Sequence, residues 1–248
     1  MPAPAPIPPL LHYIWVGDAP LPARYEANIA SWRETNPGFE IRTWTNETVR
    51  LGHPYLERAF AARNWANASN YLRLAVVLAH GGVYLDTDVM LLGSLKPMLR
   101  RHCFFGFQAV ARERDWVNNA VFGAAPNHWF IRTLLHRLTA EFDGTEAANH
   151  SAPRLLTRLL VERGLSRYRQ RGVLVDDVFV YPAPVFYPYG WNEAFSLAAI
   201  QRKTRAVHFW DKTWRGPDEP SHAPDDATMA QFQASLRALA EARRRRKG

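Results

Sequence analysis

The sequence predicts an α/β protein with a mostly parallel central sheet flanked by helices. Short β-prone runs alternate with amphipathic helical segments, and short loops connect them, which is typical of α/β architecture. The first β-prone run is apolar on both faces, as strands inside parallel sheets are. A chain of 248 residues is also long enough to form one domain with a full core.

The composition excludes several classes of protein. Hydrophobic residues make up 47% of the chain, which excludes an intrinsically disordered protein. The single cysteine, Cys103, rules out an internal disulfide and fits a reducing compartment. No apolar run reaches the length of about 18 residues that a membrane span needs, and the N-terminus lacks the charged region of a signal peptide. We therefore expect a cytoplasmic protein.

The net charge of +8 favours anionic partners. Part of this charge lies at the C-terminus, where residues 243–247 are all arginine or lysine. Such a tail is either a solvated end or a peripheral contact with the anionic inner face of a membrane, to which each basic residue contributes about 1 kcal/mol. Nucleic acid is not an expected partner, because the other basic residues form no stripe interleaved with aromatic residues.

Three segments of the chain differ in composition. Residues 1–9 are proline-rich and are expected to be extended and flexible. Residues 10–242 carry the alternating strands and helices and are predicted to form one domain. Residues 243–248 form the basic tail.

The first half of the domain reads as a strand, a helix and a second strand. Residues 10–16 are the first strand, and Trp15 lies at its carboxyl end, where open α/β sheets bind ligands. Packing in the core is the other explanation for this tryptophan. Residues 23–35 have the periodicity of an amphipathic helix. Asn46 follows the second strand, at residues 39–44, and is suited to cap a helix predicted directly after it.

Residues 64–92 contain the most informative pattern in the chain. A helix is predicted first, because apolar residues recur at spacings of three and four along one face. Ser69, Asn70 and Arg73 share a different face of this helix. The glycine pair at 81–82 ends the helix, since glycine adopts the left-handed conformation without steric cost.

Two aspartates, Asp86 and Asp88, separate the two short β-prone runs that follow. Residues two apart in an extended chain point to the same side, so both carboxylates are expected to converge at the end of a buried strand. Two buried like charges are costly unless a cation neutralises them, and a divalent metal with open positions can hold a diphosphate. The alternative is a solvated turn with a helix cap, since an Asp-x-Asp pattern alone is a weak motif.

The second half of the domain continues the alternation of strands and helices. Asn119 lies near the start of a strand and is suited either to bind sugar hydroxyls or to form a turn. The aromatic run at residues 186–191 is either core or a stacking surface for sugar rings. His208 lies in the last strand, as a core histidine or as the third ligand of a metal site. Strands are predicted at residues 103–110, 116–125, 173–181 and 206–210, and helices at residues 128–142, from residue 151 onwards and at residues 228–243.

The central stretch resembles the DXD-containing sugar-transferase family, which includes yeast-type initiating mannosyltransferases, bacterial polysaccharide glycosyltransferases and the catalytic domains of clostridial glucosylating toxins. The family pattern is Ser-Asp-x-x-Arg followed by Gly-Gly-x-Tyr-x-Asp-x-Asp, and the chain follows it at residues 69–73 and 81–88. Asn70 is the departure, because the family usually has aspartate there. Residues 7–17 look like the family's nucleotide-binding first strand, and residues 208–214 are similar to its closing His-x-Trp-x-x-Ser-Trp segment.

The resemblance implies a GT-A-like nucleotide-sugar-binding fold. It also implies transfer of a hexose from a nucleotide sugar to an acceptor hydroxyl, with retention at the anomeric carbon. UDP-hexose is the expected donor, with GDP-mannose as the alternative, and a glycan or glycolipid is the expected acceptor. The many alanines and arginines suggest a GC-rich bacterial gene, for which synthesis of surface polysaccharide or glycolipid is an expected setting.

The same resemblance implies a metal site. A Mn²⁺ or Mg²⁺ ion is expected on Asp86, Asp88 and His208, where it would bridge the diphosphate of the donor. Asp211 and Thr213 are the alternatives to His208 as the third ligand.

Catalytic and donor-binding roles are implied in the same way. Arg73, Asp86 and Asn70 are the implied catalytic residues, although an amide at position 70 cannot carry charge or act as a base. Trp15 is expected to stack on the base of the nucleotide, and Trp214 is expected to exclude water from the site. The implied donor-binding residues are Trp15, Asn46, Ser69, Arg73, Tyr84, Asp86, Asn119 and Trp214.

Two other hypotheses fit parts of this pattern. An aspartate–metal phosphohydrolase or nuclease would hydrolyse phosphate esters without sugar transfer and would not need Trp15. A basic binding module that has lost catalysis would bind a nucleotide sugar or an anionic surface without turnover.

Overall fold

The computed structural model describes residues 7–211 and 225–245 of the chain. The described strands are β1 Leu10–Ile14, β2 Glu40–Trp44, β3 Gly82–Leu85, β4 Val89–Leu91, β5 Cys103–Phe107, β6 Val117–Ala124, β7 Val173–Val175, β8 Val178–Tyr181 and β9 Ala206–His208. The described α-helices are α1 Ala23–Thr35, α2 Pro54–Ala61, α3 Trp65–His80, α4 Trp129–Glu141, α5 Leu155–Glu162 and α6 Asp226–Arg245.

Seven of the described strands form one sheet in the order β2–β1–β3–β6–β5–β8–β7. β1 pairs in parallel with β2 and β3, and β5 pairs in parallel with β8. β6 is antiparallel to β3 and β5, and β7 is antiparallel to β8. Five of these seven strands therefore run in one direction and two run against it, which confirms the predicted α/β class with a mostly parallel central sheet.

β4 and β9 form a separate two-stranded antiparallel ladder. Its register places His208 opposite Val89. Beside this pair, the N–H of Phe209 donates to the carbonyl of Asp88 at 3.0 Å. The ladder thus brings a histidine from late in the chain next to the aspartates that precede β4.

Apolar side chains cover both faces of β3. On one face, Tyr84 packs in a core cluster with residues of α3, α4 and α5. On the other face, Val83 and Leu85 pack with Ile29 and Trp32 of α1. Adjacent residues of a strand point to opposite faces, so a strand buried on both sides has the unbroken apolar sequence found here. This burial fixes the position of the aspartate turn at its end.

The junction between α3 and β3 depends on two glycines. α3 begins after Asn64, whose side chain caps the helix. Gly81 has a φ of 66° and Gly82 a φ of 101°, which are backbone conformations that other residues rarely adopt. A Cβ atom on Gly82 would lie 2.6 Å from the carbonyl oxygen of Leu10. β3 can therefore approach β1 this closely only with glycine at that position.

Several element boundaries differ from the prediction. Residues 45–48 lead into a turn, and the next helix, α2, begins only after its N-cap His53. The segment predicted as one strand at residues 173–181 is a hairpin of β7 and β8 that turns at Asp176, where φ is 52°. A π-helical turn, His150–Arg154, precedes α5. It contains a proline, which lacks the N–H that a regular helix would use.

The described part of the chain begins within the predicted N-terminal segment. Ile7 is buried, and its N–H donates to the carbonyl of Leu99 at 3.2 Å. Ile7 therefore belongs to the packed region, and the division of the chain into a flexible segment before residue 10 and a domain after it stays a prediction. Residues 1–6 of that segment lie outside the described residues.

At the other end, α6 continues to Arg245, two residues beyond its predicted end. The first part of the predicted basic tail is therefore helical, and residues 246–248 lie outside the described residues. None of the described helices is both long enough and apolar enough to cross a lipid bilayer.

Candidate active site

The two aspartates lie in a tight turn at the carboxyl end of β3. The N–H of Asp86 donates to the carbonyl of Ala120 in β6 at 2.9 Å, and the N–H of Val89 donates to the carbonyl of Asp86 at 3.0 Å. The segment is therefore a turn and not the extended chain that the prediction assumed. The turn still brings the carboxylates together, since oxygens of Asp86 and Asp88 and a ring nitrogen of His208 all lie within 4.8 Å of one another.

His208 completes this group from β9. Its Nε2 atom lies 3.1 Å from Oδ2 of Asp88. The centroid of its ring lies 4.2 Å from that of Trp210 and 5.8 Å from that of Tyr187. Burial lowers the pKa of His208, but the carboxylates of Asp88 and Asp86 outweigh burial, and the net pKa is raised. The Nδ1 atom is buried and has no hydrogen-bond partner among the described residues.

This set of side chains fits a divalent cation. Carboxylates suit Mg²⁺ and Mn²⁺, and imidazole is a common metal ligand. Burial raises the pKa of Asp86, Arg73 opposes this rise and Asp88 adds to it, with a raised pKa as the net result. The carboxyl of Asp86 therefore resists carrying its charge unless a further cation lies beside it. The unsatisfied Nδ1 atom of His208 is independent evidence that a further polar group belongs beside the ring.

Arg73 connects α3 to Asp86. Its Nη2 atom lies 3.1 Å from Oδ1 of Asp86 and donates to Oγ of Ser69 at 3.0 Å. Its guanidinium lies 4.7 Å from the ring centroid of Tyr84, and the hydroxyl of Tyr84 donates to Oδ1 of Asp86 at 2.7 Å. Burial lowers the pKa of Arg73, but Asp86 outweighs burial and raises it, so the guanidinium stays charged. Four of the predicted site residues therefore contact one another.

The two predicted asparagines lie in different surroundings. Nδ2 of Asn70 donates to the carbonyl of Ala148 at 2.9 Å and to Oγ of Ser151 at 3.3 Å. An ionised aspartate could not donate to that carbonyl. The surroundings of position 70 therefore suit asparagine, the residue by which this chain departs from the family pattern. Asn119 contacts the cluster through its backbone, since its carbonyl accepts from Nη1 of Arg73 at 3.3 Å. A catalytic role for Asn70 and donor binding by the Asn119 side chain stay predictions.

Trp15 and Asn46 lie just beyond the ends of β1 and β2. Nε1 of Trp15 donates to the carbonyl of Ala19 at 2.8 Å, and its ring packs edge-on against Tyr25 with centroids 5.6 Å apart. The side chain of Asn46 accepts from the N–H of Gly17 at 3.0 Å and donates to its carbonyl at 2.9 Å. Asn46 thus holds the loop after β1 and does not cap a helix. Because β1, β2 and β3 are parallel, both residues share the edge of the sheet that carries the aspartate turn.

Arg24 and Tyr25 were not predicted to belong to the site. Arg24 lies 2.9 Å from Oδ2 of Asp211, and the hydroxyl of Tyr25 donates to the same oxygen at 2.6 Å. The N–H of Asp211 in turn donates to Oδ2 of Asp88 at 2.9 Å. Asp211 was an alternative metal ligand in the prediction. In the structure its carboxylate is paired with Arg24, and its backbone N–H holds the carboxylate of Asp88 in place. The periodicity of the first helix separates buried from exposed positions, so it could not have identified Arg24 and Tyr25 as part of the site.

Two predicted residues near this segment, Thr213 and Trp214, lie outside the described residues. The aromatic run at residues 186–191 is largely core, as one of its two explanations required, because Phe186 and Tyr187 are fully buried. The hydroxyl of Tyr187 accepts from the N–H of Val121 at 3.0 Å. Tyr187 thus holds its ring beside the imidazole of His208.

Two family models match the chain in adjacent regions. One is described as a glycosyltransferase sugar-binding region containing a DXD motif and matches residues 22–105. The other is described as an alpha 1,4-glycosyltransferase conserved region and matches residues 123–231. The first contains the aspartate turn and Arg73, and the second contains His208.

Curated relatives carry glycosyltransferase names. The uncharacterized glycosyltransferase L373 of Acanthamoeba polyphaga mimivirus is 23% identical over 73% of this chain and 75% of its own length. The lactosylceramide 4-alpha-galactosyltransferase of Mus musculus is 29% identical over 67% of this chain and 46% of its own length. The alpha-1,4-N-acetylglucosaminyltransferase of Homo sapiens is 30% identical over 62% of this chain and 45% of its own length. The chain therefore spans about half the length of the two animal enzymes.

Solved structures support the fold. The PaToxG glycosyltransferase has a TM-score of 0.52 at 17% identity and covers 64% of this chain and 70% of its own. The glycosyltransferase GlyE of Streptococcus pneumoniae TIGR4 has a TM-score of 0.51 at 11% identity and covers 97% of this chain and 64% of its own. These neighbours share the GT-A fold. With both family models matched in order around the Asp86–Asp88 turn, the chain belongs to the DXD-motif glycosyltransferase family of enzymes.

Proposed function

We propose that the protein is a metal-dependent, retaining hexosyltransferase that moves a hexose from a nucleotide sugar to an acceptor hydroxyl. The observation that carries the proposal is the convergence of Asp86, Asp88 and His208 within 4.8 Å. These three residues would hold Mn²⁺ or Mg²⁺, which, when bound, supplies positive charge for the diphosphate leaving group.

The side chains around the aspartates have separate tasks in this proposal. Arg73 holds Asp86 in place, and its other N–H groups donate to Ser69 and to the carbonyl of Asn119. A sugar hydroxyl or a phosphate of the donor would share this planar fork with those acceptors. Its fixed charge stabilises the negative charge that develops on the leaving group. Ser69 and Tyr84 line the same wall, since both contact the arginine.

The nucleotide end of the donor lies at the neighbouring strand ends in this proposal. Trp15 offers an aromatic face to the base, and Asn46 fixes the loop that follows Trp15 by its two hydrogen bonds to Gly17. Trp214 follows β9 in the sequence, and in this proposal it excludes water from the activated sugar.

Retention at the anomeric carbon is part of the proposal. A double displacement needs a carboxylate that is free to attack the sugar. Among the described residues near the turn, Asp86 is paired with Arg73, and Asp211 is paired with Arg24. A same-face route assisted by the leaving phosphate therefore fits the site better. The match to an alpha 1,4-glycosyltransferase region supports retention. The common nucleotide hexoses are α-linked, so forming an α-linked product from them retains the configuration at the anomeric carbon.

UDP-hexose is the preferred donor of this proposal, and GDP-mannose is the alternative. The names of the animal relatives describe transfer of galactose and of N-acetylglucosamine, and one of them specifies a glycolipid, lactosylceramide. We assign a glycan or glycolipid as the acceptor, within bacterial surface polysaccharide or glycolipid synthesis. The proposal also includes peripheral contact with an anionic membrane. It does not include nucleic acid as a partner.

The test is release of a nucleoside diphosphate from a panel of nucleotide sugars by the pure protein with Mn²⁺. Release from one donor is expected, and Asp88→Ala is expected to abolish it. Glu34→Ala removes an exposed carboxylate of α1 and is expected to leave release unchanged. Phosphate-ester hydrolysis without any preference for the sugar would instead identify a phosphohydrolase. Saturable binding of a donor without any release would identify a binding module.

A further inference from the structure

A basic groove of about 820 Å³ lies between α5 and the loop that connects β5 to β6. The ionisable side chains that line it are four arginines, one histidine and one glutamate. These six residues are Arg112, Glu113, Arg114, His150, Arg154 and Arg158. The groove is separate from the aspartate turn, so it needs an explanation of its own.

The arginines of the groove fall into two pairs. Arg154 lies 2.8 Å from Asp115, and Arg158 pairs with Glu141. Arg112 and Arg114 are exposed and form no ion pair or hydrogen bond with any described residue. Two guanidiniums on one short loop therefore keep their planar donor forks free, and such forks match the geometry of a carboxylate or phosphate.

The groove lies close to the site of transfer. Thr157, in its wall, accepts a hydrogen bond from the N–H of Val117 at 2.9 Å. Val117 begins β6, and Ala120 of the same strand accepts from the N–H of Asp86. Three residues of strand span about 10 Å. A ligand in the groove would thus lie within an oligosaccharide's reach of the aspartates.

The wall of the groove also carries apolar surface. Phe142, Leu155 and Val161 contribute to it beside the arginines. The apolar faces of sugar rings pack against such side chains, and aromatic rings are especially suited to this contact. The combination of apolar wall and free guanidiniums suits a sugar that carries an acidic group.

We infer that this groove binds the acceptor through a negatively charged group, either the carboxylate of an acidic sugar or a phosphate ester. The inference rests on the proposed transferase function, and it adds the charge of the acceptor and the residues that read it. The donor diphosphate belongs at Asp86 and Asp88, whereas Arg112 and Arg114 recognise the second substrate.

The test measures binding of small probes to the full chain by NMR titration. Glucuronic acid supplies the carboxylate, glucose 6-phosphate supplies the phosphate, and glucose is the neutral reference. The double variant Arg112→Gln/Arg114→Gln is expected to bind the anionic probes at least about tenfold more weakly, since the charged hydrogen bonds of two guanidiniums are lost. Arg33→Gln/Arg100→Gln removes the same charge from exposed positions elsewhere and is expected to bind like the wild type.

Two further measurements separate the competing outcomes. Asp88→Ala is expected to keep its affinity for the probes, because they bind outside the metal site. Binding of only one of the two anions supports the inference and identifies the acidic group. Equal binding of glucose, or equal affinities in the wild type and the Arg112→Gln/Arg114→Gln variant, overturns it. Diphosphate release by the wild type, measured in parallel, shows whether the transferase proposal stands independently.

Discussion

At the scale of single residues, Arg73 is the side chain that makes the pair of aspartates tolerable. It is almost fully buried, lies 3.1 Å from Asp86 and contacts Ser69 and Tyr84. Its charge opposes the rise in the pKa of Asp86 that burial causes. A neutral residue here would leave the buried carboxylate of Asp86 facing Asp88 without its main compensating charge, with only the Tyr84 hydroxyl and His208 beside it.

We therefore expect Arg73→Met to lower the free energy of unfolding by about 3 kcal/mol, the cost of leaving a buried charge unpaired. Donor cleavage is expected to fall by at least about a hundredfold, since a fixed charge near the leaving group is lost. Urea unfolding and diphosphate release measure the two effects. Arg33→Met, at an exposed position of α1, is the control and is expected to change stability by less than about 0.5 kcal/mol. Unfolding midpoints that agree between the two variants would contradict this account of Arg73.

His208 gives the second prediction at this scale. His208→Ala is expected to weaken Mn²⁺ binding by at least about tenfold, because the cation loses a nitrogen ligand next to two carboxylates. Electron paramagnetic resonance of free Mn²⁺ measures the affinity directly. His136→Ala, an exposed histidine of α4, is the matched control. A chelator is expected to stop donor cleavage by the wild type, and added Mn²⁺ is expected to restore it. Unchanged Mn²⁺ affinity in His208→Ala would remove the histidine from the metal site.

At the scale of elements, a neutral histidine joins β1, β2 and the end of α3. Nε2 of His12 lies 2.8 Å from the carbonyl of Gly81, to which it donates, and Nδ1 accepts from Nε1 of Trp44 at 3.1 Å. A second ring proton would point at the Trp44 donor, so protonation breaks this arrangement. Burial is the main cause that lowers the pKa of His12 from 6.5 to about 4.

The protein is therefore expected to lose stability as the pH falls from 6.5 towards 4. In that window the unfolded chain binds a proton at His12 that the folded chain does not, so acid favours unfolding. The loss from this residue is about 2 to 3 kcal/mol at pH 4.5. Unfolding free energies at several pH values measure it, and His12→Gln is expected to flatten the dependence. The difference between the two proteins isolates His12, because His128 also has a lowered pKa. An NMR titration of the His12 ring that gives its ordinary pKa would contradict the prediction.

The start of β3 makes a prediction about glycine. Gly82→Ala is expected to destabilise the protein by at least about 2 kcal/mol, because its φ of 101° and the carbonyl of Leu10 at 2.6 Å leave no room for a Cβ atom. Gly52→Ala is the matched control, since no atom lies within 4 Å of its added Cβ. Thermal unfolding of both variants measures the contrast. Equal melting temperatures would show that β3 can move away from β1.

Local sequence signals predicted many of the helices and strands. The features that were not predicted depend on contacts between segments that are far apart in the sequence. The helix at residues 23–35 and the glycine stop after α3 were predicted correctly, because periodicity and φ preference act within a few residues. The β4–β9 register and the pairing of Arg24 with Asp211 join segments that are far apart in sequence. No local pattern encodes such contacts. His208 was linked to the aspartates by the chemistry of a metal site, which left a core histidine as the alternative, and by the family resemblance.

At the scale of the whole molecule, positive charge collects where α6 ends. Arg243 donates to the carbonyl of Gln201 at 2.9 Å, and burial and the nearby Arg205 lower its pKa. Four cations of this face form no ion pair with a described residue: Arg202, Lys203, Arg205 and Arg243. Leu197, on the same segment, is 46% exposed. An apolar side chain next to uncompensated cations is the composition of a surface that contacts anionic lipid.

We expect the protein to bind vesicles that contain phosphatidylglycerol and to bind pure phosphatidylcholine vesicles weakly. Arg202→Glu/Lys203→Glu is expected to reduce the partition coefficient by at least about thirtyfold, since each basic residue near the surface contributes about 1 kcal/mol. Arg33→Glu/Arg100→Glu changes the net charge equally at exposed positions elsewhere, so it separates a local face from overall charge. Vesicle sedimentation at increasing salt measures the partition, and binding is expected to weaken as salt screens the charges. Equal losses in both double variants would show that net charge alone attracts the protein, and the face formed by α6 and residues 197–205 would then have no part in membrane contact.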